Sequence, residues 1–419
     1  MKKNNFLINH IVEILQNIFT VSTPTDLYIA NYFKSRKYLG SKDRRIISDI
    51  IFGIIRNRTR VETIADEIKN DFLEFDFLHL CILIYIKIFE NNFEIENPLL
   101  NKIDIEKIEN KIYKSKDFEE QLAFKYSFPI WFLKKNKPIF SDDELEKVLI
   151  SLNKKAQITI RINTLKCSLE KCMKELLKEN LKSSRTNFSP FGLNLEKRFS
   201  NTLKIFQSGF FEIQDEGSQL VSLLMDAKVN ETIIDACCGS GGKSLAMSMM
   251  MKNNGKIFAF DVSKGKINEL KKRIKKSNAK FIFPSTYDEI DIEKFHAIAD
   301  KILIDVPCSG SGTIRRNPMI KWKLTENLIK DFSLKQKEIL SLYSRFVKKN
   351  GILIYATCSM FKEENEDIIS YFLQENKNFE IQELPIFFQE KFNSKYFFKT
   401  FSHKHSTDIF FASILKRIN

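Results

Sequence analysis

The sequence predicts an α/β protein: a doubly wound parallel sheet, preceded by a helical domain and a small α+β module. Three observations carry that prediction. From residue 229 onward, short apolar runs alternate with amphipathic stretches at the spacing of strand–helix units. Two of those runs lead into cysteine tetrapeptides. Asp305-Val306-Pro307-Cys308 follows Lys301-Ile302-Leu303-Ile304, and Ala356-Thr357-Cys358-Ser359 follows Gly351-Ile352-Leu353-Ile354-Tyr355. A glycine-rich turn, Asp235 to Ser244, joins the first run to its helix.

Residues 1–135 read as helical. Ile46, Ile47, Ile50, Ile51, Ile54 and Ile55 repeat with the helical period after Asp43-Arg44-Arg45. DFLHLCILIYIKIFE is apolar nearly all round, as expected of a central helix in a bundle. The polar stretch NNFEIENPLLNKIDIEKIENKIYKSKD reads as a long connection with one helix, and IWFLKK after Pro129 as another helix. Residues 151–215 form the small module. QITIRINTL alternates like a strand, CSLEKCMKELLKEN is an amphipathic helix, and SGFFEIQDEGSQLVSLLM passes from extended chain into a helix through Asp215. Residues 216–419 hold the large sheet. Its runs are ETIIDA, KIFAFD, KFIFPS, DKILIDV and GILIYATC, and TDIFFASILKRI closes it as an antiparallel strand at the edge.

Composition bounds the function classes. The chain has 419 residues, 43% of them hydrophobic, which suits two or three domains. It has no apolar run of 18 or more residues, so no transmembrane helix is expected, and its amino terminus lacks the apolar core of a signal peptide. Its seven cysteines are scattered without a pair of CxxC elements, which argues against structural zinc and fits a reducing cytosol. His296, His403 and His405 show no ligand pattern either. The net charge of +14 has two readings, a polyanionic partner such as nucleic acid or the coding bias of a Lys- and Asn-rich chain.

The strand ends carry the chemistry. Asp235, Asp261, Asp305 and Cys358 all fall at or just beyond strand carboxyl ends, the edge where open α/β sheets bind ligands. Taken alone, the turn Cys237-Cys238-Gly239-Ser240-Gly241-Gly242-Lys243 leaves several readings open. It lacks the first glycine of a phosphate P-loop, and G-x-G-G is not the dinucleotide fingerprint. S-adenosylmethionine, which needs a tight glycine turn and a ribose-binding acid such as Asp261, is the third reading, and a purely structural turn is the fourth. A lone cysteine after a strand is most often a small buried apolar residue. Two at one rim, one following Asp-x-Pro, suggest covalent chemistry on a ring carbon instead. Arg315 and Arg316 are candidates for phosphate contact or base stacking.

These residues also match a family. Asp235 to Ser244, DVPCSGSGTIRRNPMIKW and YATCSMFKEEN closely resemble the motifs of RNA cytosine-C5 methyltransferases. FEIQDEGSQLV resembles the lead into their catalytic domain, ITIRINTL the start of their RNA-facing module, and the amino-terminal helices the NusB-like domain of the RsmB (Sun/Fmu) type. The resemblance implies a Rossmann-like methyltransferase domain using S-adenosylmethionine on RNA, most naturally 16S ribosomal RNA in the cytoplasm, by a monomer without metal. It implies Cys358 as nucleophile, Cys308 as the cysteine that aids release, and Asp305 as the acid beside the base. Cys237 to Lys243, Asp261 and Asp305 then form the cofactor site. Transfer RNA as substrate, or a non-catalytic assembly role, are the alternatives. The turn departs from the family pattern at Cys238-Gly239-Ser240. The third strand ends at Ser285, with Asp288 three residues later, where the family has an Asp.

The chemistry accounts for the residue types independently. Cytosine C5 is a poor nucleophile until a thiolate adds to C6, and cysteine both attacks and leaves well. An acid at N3 steadies the developing charge. The base must leave any stack to expose C6, so the RNA is expected single-stranded or flipped.

Overall fold

A computed structural model describes residues 2–73, 75–90, 103–289 and 291–419. They form two compact units, one of Met1–Lys154 with Ile314–Lys323, the other of Lys155–Thr313 with Leu324–Asn419.

The first unit is helical. Its main helices are Lys2–Ile18, Thr25–Lys34, Ser41–Arg56, Arg58–Ile68, Phe77–Phe89, Ile105–Lys114, Phe118–Tyr126, Ile130–Asn136 and Asp142–Asn153. Ser41–Arg56 buries Ile47, Ile50, Ile51, Ile54 and Ile55 on one face, as the period requires. Phe77–Phe89 buries every residue from Leu80 to Ile86, which makes it the central helix of the unit. Of the polar connection, residues 91–102 lie outside the described residues, and its expected helix is Ile105–Lys114.

The segment Ile314–Lys323 belongs to this helical unit although it lies between two strands of the other. Lys321 explains why. Its side chain is buried, and Nζ donates to the carbonyls of Arg56 at 2.7 Å and Ser127 at 2.7 Å and to Asn153 Oδ1 at 2.8 Å. Arg56 and Ser127 stand at the carboxyl ends of two helices. Their unused carbonyls and negative dipole ends match the three donors of an ammonium group.

The second unit holds both sheets. Four antiparallel strands, β1 (Ile158–Ile162), β2 (Ser183–Arg185), β3 (Gly192–Leu195) and β4 (Phe211–Ile213), run in the order β2-β3-β1-β4. Ile160, Ile162, Leu193 and Phe211 pack with Cys167, Cys172 and Leu176 beside the helix Leu169–Lys178.

The large sheet comprises β5 (Thr232–Asp235), β6 (Lys256–Asp261), β7 (Ile282–Thr286), β8 (Ala299–Asp305), β9 (Val347–Thr357), β10 (Phe379–Ile381), β11 (Phe397–Lys399) and β12 (Phe411–Arg417). The order is β10-β12-β9-β8-β5-β6-β7, with β11 also on β12. β5 to β9 are parallel. Alternate residues feed two cores: Ile233, Leu303, Ile354 and Ala356 one, Ile234, Ile302, Leu353 and Tyr355 the other. The terminal strand is antiparallel as expected, but it is not the edge. It lies between β9 and β10. The three-residue strands FEI and FFK cover its outer side, and runs that short carry no readable alternation.

Strand order reverses between β5 and β8. The chain runs outward through β6 and β7, then returns to add β8 and β9 on the other side of β5. That switch point is where a doubly wound sheet opens a crevice at its carboxyl rim.

Candidate active site at the carboxyl rim of the large sheet

Asp235, Asp261 and Asp305 are the last residues of β5, β6 and β8, and Cys358 follows the last residue of β9. Parallel strands therefore bring them to one rim. Cys308 reaches the same place from the turn after β8: its Sγ lies 3.4 Å from Cys358 Sγ and 3.4 Å from the Cys358 N–H. The bond to Cys358, then burial, holds the Cys308 thiol well above the ordinary range.

The turn between these thiols rests on close backbone packing. Gly312 N–H donates to the Cys358 carbonyl at 2.8 Å, and a Cβ on Gly312 would stand 2.2 Å from the Ile409 carbonyl oxygen. No larger residue fits there. Below the thiols lies a buried polar scaffold. Glu364 accepts from Ser309 N–H at 2.7 Å, Gln336 Nε2 at 3.0 Å and the Ser359 hydroxyl. Asn365 accepts from the Thr357 hydroxyl at 2.6 Å and donates to the Ser359 carbonyl at 2.9 Å. The sequence reading assigned no role to Glu364 or Asn365. They sit in the charged run Lys362 to Asp367, which reads as an exposed stretch and gives no local signal that two of its residues turn inward.

Lys243, from the glycine turn, donates to Asp305 Oδ2 at 2.5 Å. Burial works against its charge, but Asp305 more than offsets that and the amine sits above its ordinary value. Asp305 and Lys243 therefore form one ion pair facing the thiols from the neighbouring strand. Asp235 is fully buried and accepts from the Ser244 hydroxyl at 2.6 Å. Burial pushes its carboxyl up to about 7 against the pull of that bond.

The turn itself fits a cofactor. Gly239 and Gly241 have φ of 55° and 82°. A Cβ on Gly239 would meet nothing within 4 Å, so its backbone faces open space, whereas one on Gly241 would fall 2.1 Å from Leu270 Cδ1. Asp261 accepts from Gly239 N–H at 3.0 Å and Ser263 N–H at 2.9 Å, which fixes its carboxylate beside that space. Cys238 is buried and Cys237 half-buried, and burial raises both thiols. Ser285 pairs with Phe260, and Asp288 is exposed in the turn beyond β7.

Arg315 and Arg316 belong to the helical unit. Arg315 is buried and its carbonyl accepts from Arg56 within the helical unit, while Arg316 is partly exposed. The ring of His405 lies among Phe188, Phe392 and Phe401, where burial lowers it to about 4. Among the described residues no cluster of His, Cys, Asp and Glu could hold a metal, and no helix is long and apolar enough to cross a membrane.

A parallel switch-point sheet with a glycine turn and strand-end acids makes a nucleotide-type cofactor site, and the matches below make the class that of S-adenosylmethionine-dependent methyltransferases. A family model described as 16S rRNA methyltransferase RsmB/F matches residues 222–416. Another, for the ferredoxin-like domain of RsmF/B-like methyltransferases, matches residues 128–202. The chain is thus similar to RsmB/F methyltransferases over both its ferredoxin-like and its large-sheet parts. A Bacillus subtilis protein named probable ribosomal RNA small subunit methyltransferase B is 32% identical over 62% of this chain and 59% of its own length. A mouse protein named 28S rRNA (cytosine-C(5))-methyltransferase is 27% identical over 72% of this chain and 40% of its own. The matched stretch thus spans less than two thirds of either relative. The solved structure titled PH0851 superposes with a TM-score of 0.80 at 29% identity, covering 98% of both chains.

Proposed function

We propose that this chain is an S-adenosylmethionine-dependent RNA cytosine-C5 methyltransferase acting on small-subunit ribosomal RNA. The observation that carries the reading is two sulfurs 3.4 Å apart on the sheet rim, with Asp305 at the end of β8 paired to Lys243 in the first turn of the helix Gly242–Met250. The bound cofactor supplies an electrophilic methyl group. The chain's own residues prepare the base to take it. The Cys358 thiolate adds to C6, and as negative charge builds on N3 a proton passes to it through Asp305, which is resupplied by the Lys243 ammonium. C5, now enamine-like, takes the methyl. A base removes the C5 proton, and elimination of Cys358 restores the aromatic ring. Cys308, in contact with the departing sulfur, assists that release.

The target cytosine is single-stranded or flipped, since C6 is shielded inside a stacked helix. The helical unit is a NusB-like RNA-binding domain, and residues 151–215 face the RNA. The enzyme works as a monomer in the cytoplasm. The test is methyl transfer from labelled S-adenosylmethionine to unmodified small-subunit RNA, with the product mapped by bisulfite sequencing. One protected cytosine in that RNA is expected. Incorporation only into transfer RNA, or label at an exocyclic nitrogen, would overturn the reading.

A further inference from the structure

β1 carries Arg161 on the face opposite its apolar residues, Asn163 follows the end of the strand, and both side chains are buried. Arg161 Nη1 donates to the carbonyl of Gly242 at 2.7 Å and to the side-chain oxygen of Gln214. Asn163 Nδ2 donates to the carbonyls of Gly209 at 2.9 Å and Ser277 at 2.7 Å. A second guanidinium completes the arrangement. Arg273, on the helix Lys264–Ser277, donates through Nη1 to the carbonyl of Ser240 at 2.7 Å. Its other edge binds Glu212 of β4 through Nε at 3.2 Å and Nη2 at 2.8 Å. Two arginines thus hold two carbonyls of the same glycine turn.

A trans peptide is planar, so fixing a carbonyl fixes the N–H on its other side. Arg161 on Gly242 sets the Lys243 N–H and the start of the Lys243 side chain, which ends on Asp305. Arg273 on Ser240 sets the Gly241 N–H, which donates to the Cys238 carbonyl at 2.8 Å. Gly239 and Gly241 give this turn wide conformational freedom, and the two guanidiniums remove it. The arrangement costs energy. Burial lowers Arg161 to about 10, Glu212 partly offsets that, and Arg273 adds repulsion. A fully buried arginine whose nearest carboxylate is bonded to a second arginine is a poor way to join two modules by stability alone.

We propose that Arg161 and Arg273 are positioning residues for the cofactor turn, so that the small module forms the back of the S-adenosylmethionine site. This rests on the reading that the turn binds that cofactor. The test compares Arg161→Lys, Arg161→Met, Arg273→Met and Asp261→Ala in the full chain, with cofactor affinity by calorimetry, KM for cofactor and for RNA, and thermal melting. Arg273 is only partly buried, so Arg273→Met keeps the test open if Arg161→Met does not fold. Arg273→Met is expected to weaken cofactor binding about tenfold, the scale of one lost charged hydrogen bond. KM for RNA should stay within about twofold, and Arg161→Lys should recover part of what Arg161→Met loses. Lower melting with unchanged cofactor affinity in the folded variants would overturn the proposal and leave a structural bond only. If Asp261→Ala also left affinity unchanged, the cofactor assignment of the turn would fall, and the proposal with it.

Discussion

Replacing Lys243 with Met tests the ion pair at the heart of the site. Methionine keeps most of the stem volume and removes the ammonium. Asp305 then loses a partner at 2.5 Å. A fully buried pair broken in this way costs about 3–5 kcal/mol. The Asp305 side chain is 28% exposed, so water recovers part of that, and about 1–3 kcal/mol of stability is expected to go. The rate should suffer more. If the ammonium faces charge that develops on the ring, its loss compares with removal of an oxyanion donor, about 100-fold or more in kcat. Single-turnover methyl transfer at saturating RNA and cofactor reads this directly, with melting run alongside to certify folding. A folded variant with kcat within about threefold of wild type would refute the charge-stabilising role and leave Lys243 as a tether for Asp305.

Three further outcomes follow from the geometry. Asp235 holds its proton up to about pH 7 in the native state, against 3.8 for the free group, so the native state binds a proton the unfolded chain has lost. Stability therefore falls as pH rises from about 4 to about 7, by up to ~1.4 kcal/mol per unit, and levels off above. Asp235→Asn keeps the acceptor for Ser244 and should flatten that slope in denaturant titrations, and an unchanged slope would place the proton elsewhere. Glu364→Gln puts an amide where three donors converge, so about 2–3 kcal/mol of stability should be lost, visible as a lower Tm; a variant as stable as wild type would contradict the scaffold. Gly241→Ala and Gly239→Ala should separate: the first drives a methyl onto Leu270 and loses about 2 kcal/mol or more, the second loses about 1 kcal/mol of stability but weakens cofactor binding, and equal behaviour of the two in calorimetry and melting would refute the open cradle at Gly239.

The large sheet was legible because buried parallel strands read as unbroken apolar runs. Ile302-Leu303-Ile304 and Ile352-Leu353-Ile354 are such runs, and the residues just past them reach the rim by the rule of the fold. That rule alone brought Asp235, Asp261, Asp305 and Cys358 together. What it could not reveal depends on distant partners. Nothing local in MIKW says that Lys321 enters a carbonyl cage between two helices of the amino-terminal unit. Nothing in ITIRINTL says that Arg161 ends on a glycine carbonyl eighty residues away. β12 misled for a related reason. Its sequence shows a strand but not its neighbours, and FEI and FFK are too short to announce themselves as the strands that cover it.

Trapping with variants of the two cysteines reads out the proposed covalent mechanism. Each variant is incubated with substrate RNA and S-adenosylmethionine, then run on a denaturing gel. If Cys358 attacks C6 and Cys308 aids release, Cys358→Ala forms no adduct and transfers no methyl. Cys308→Ala accumulates an RNA–protein adduct, because the C6–sulfur bond has lost its fast exit, and the double variant shows none. An adduct in Cys358→Ala but not in Cys308→Ala would reverse the assignment. Methyl transfer retained in both variants, with no adduct in either, would contradict the covalent mechanism altogether.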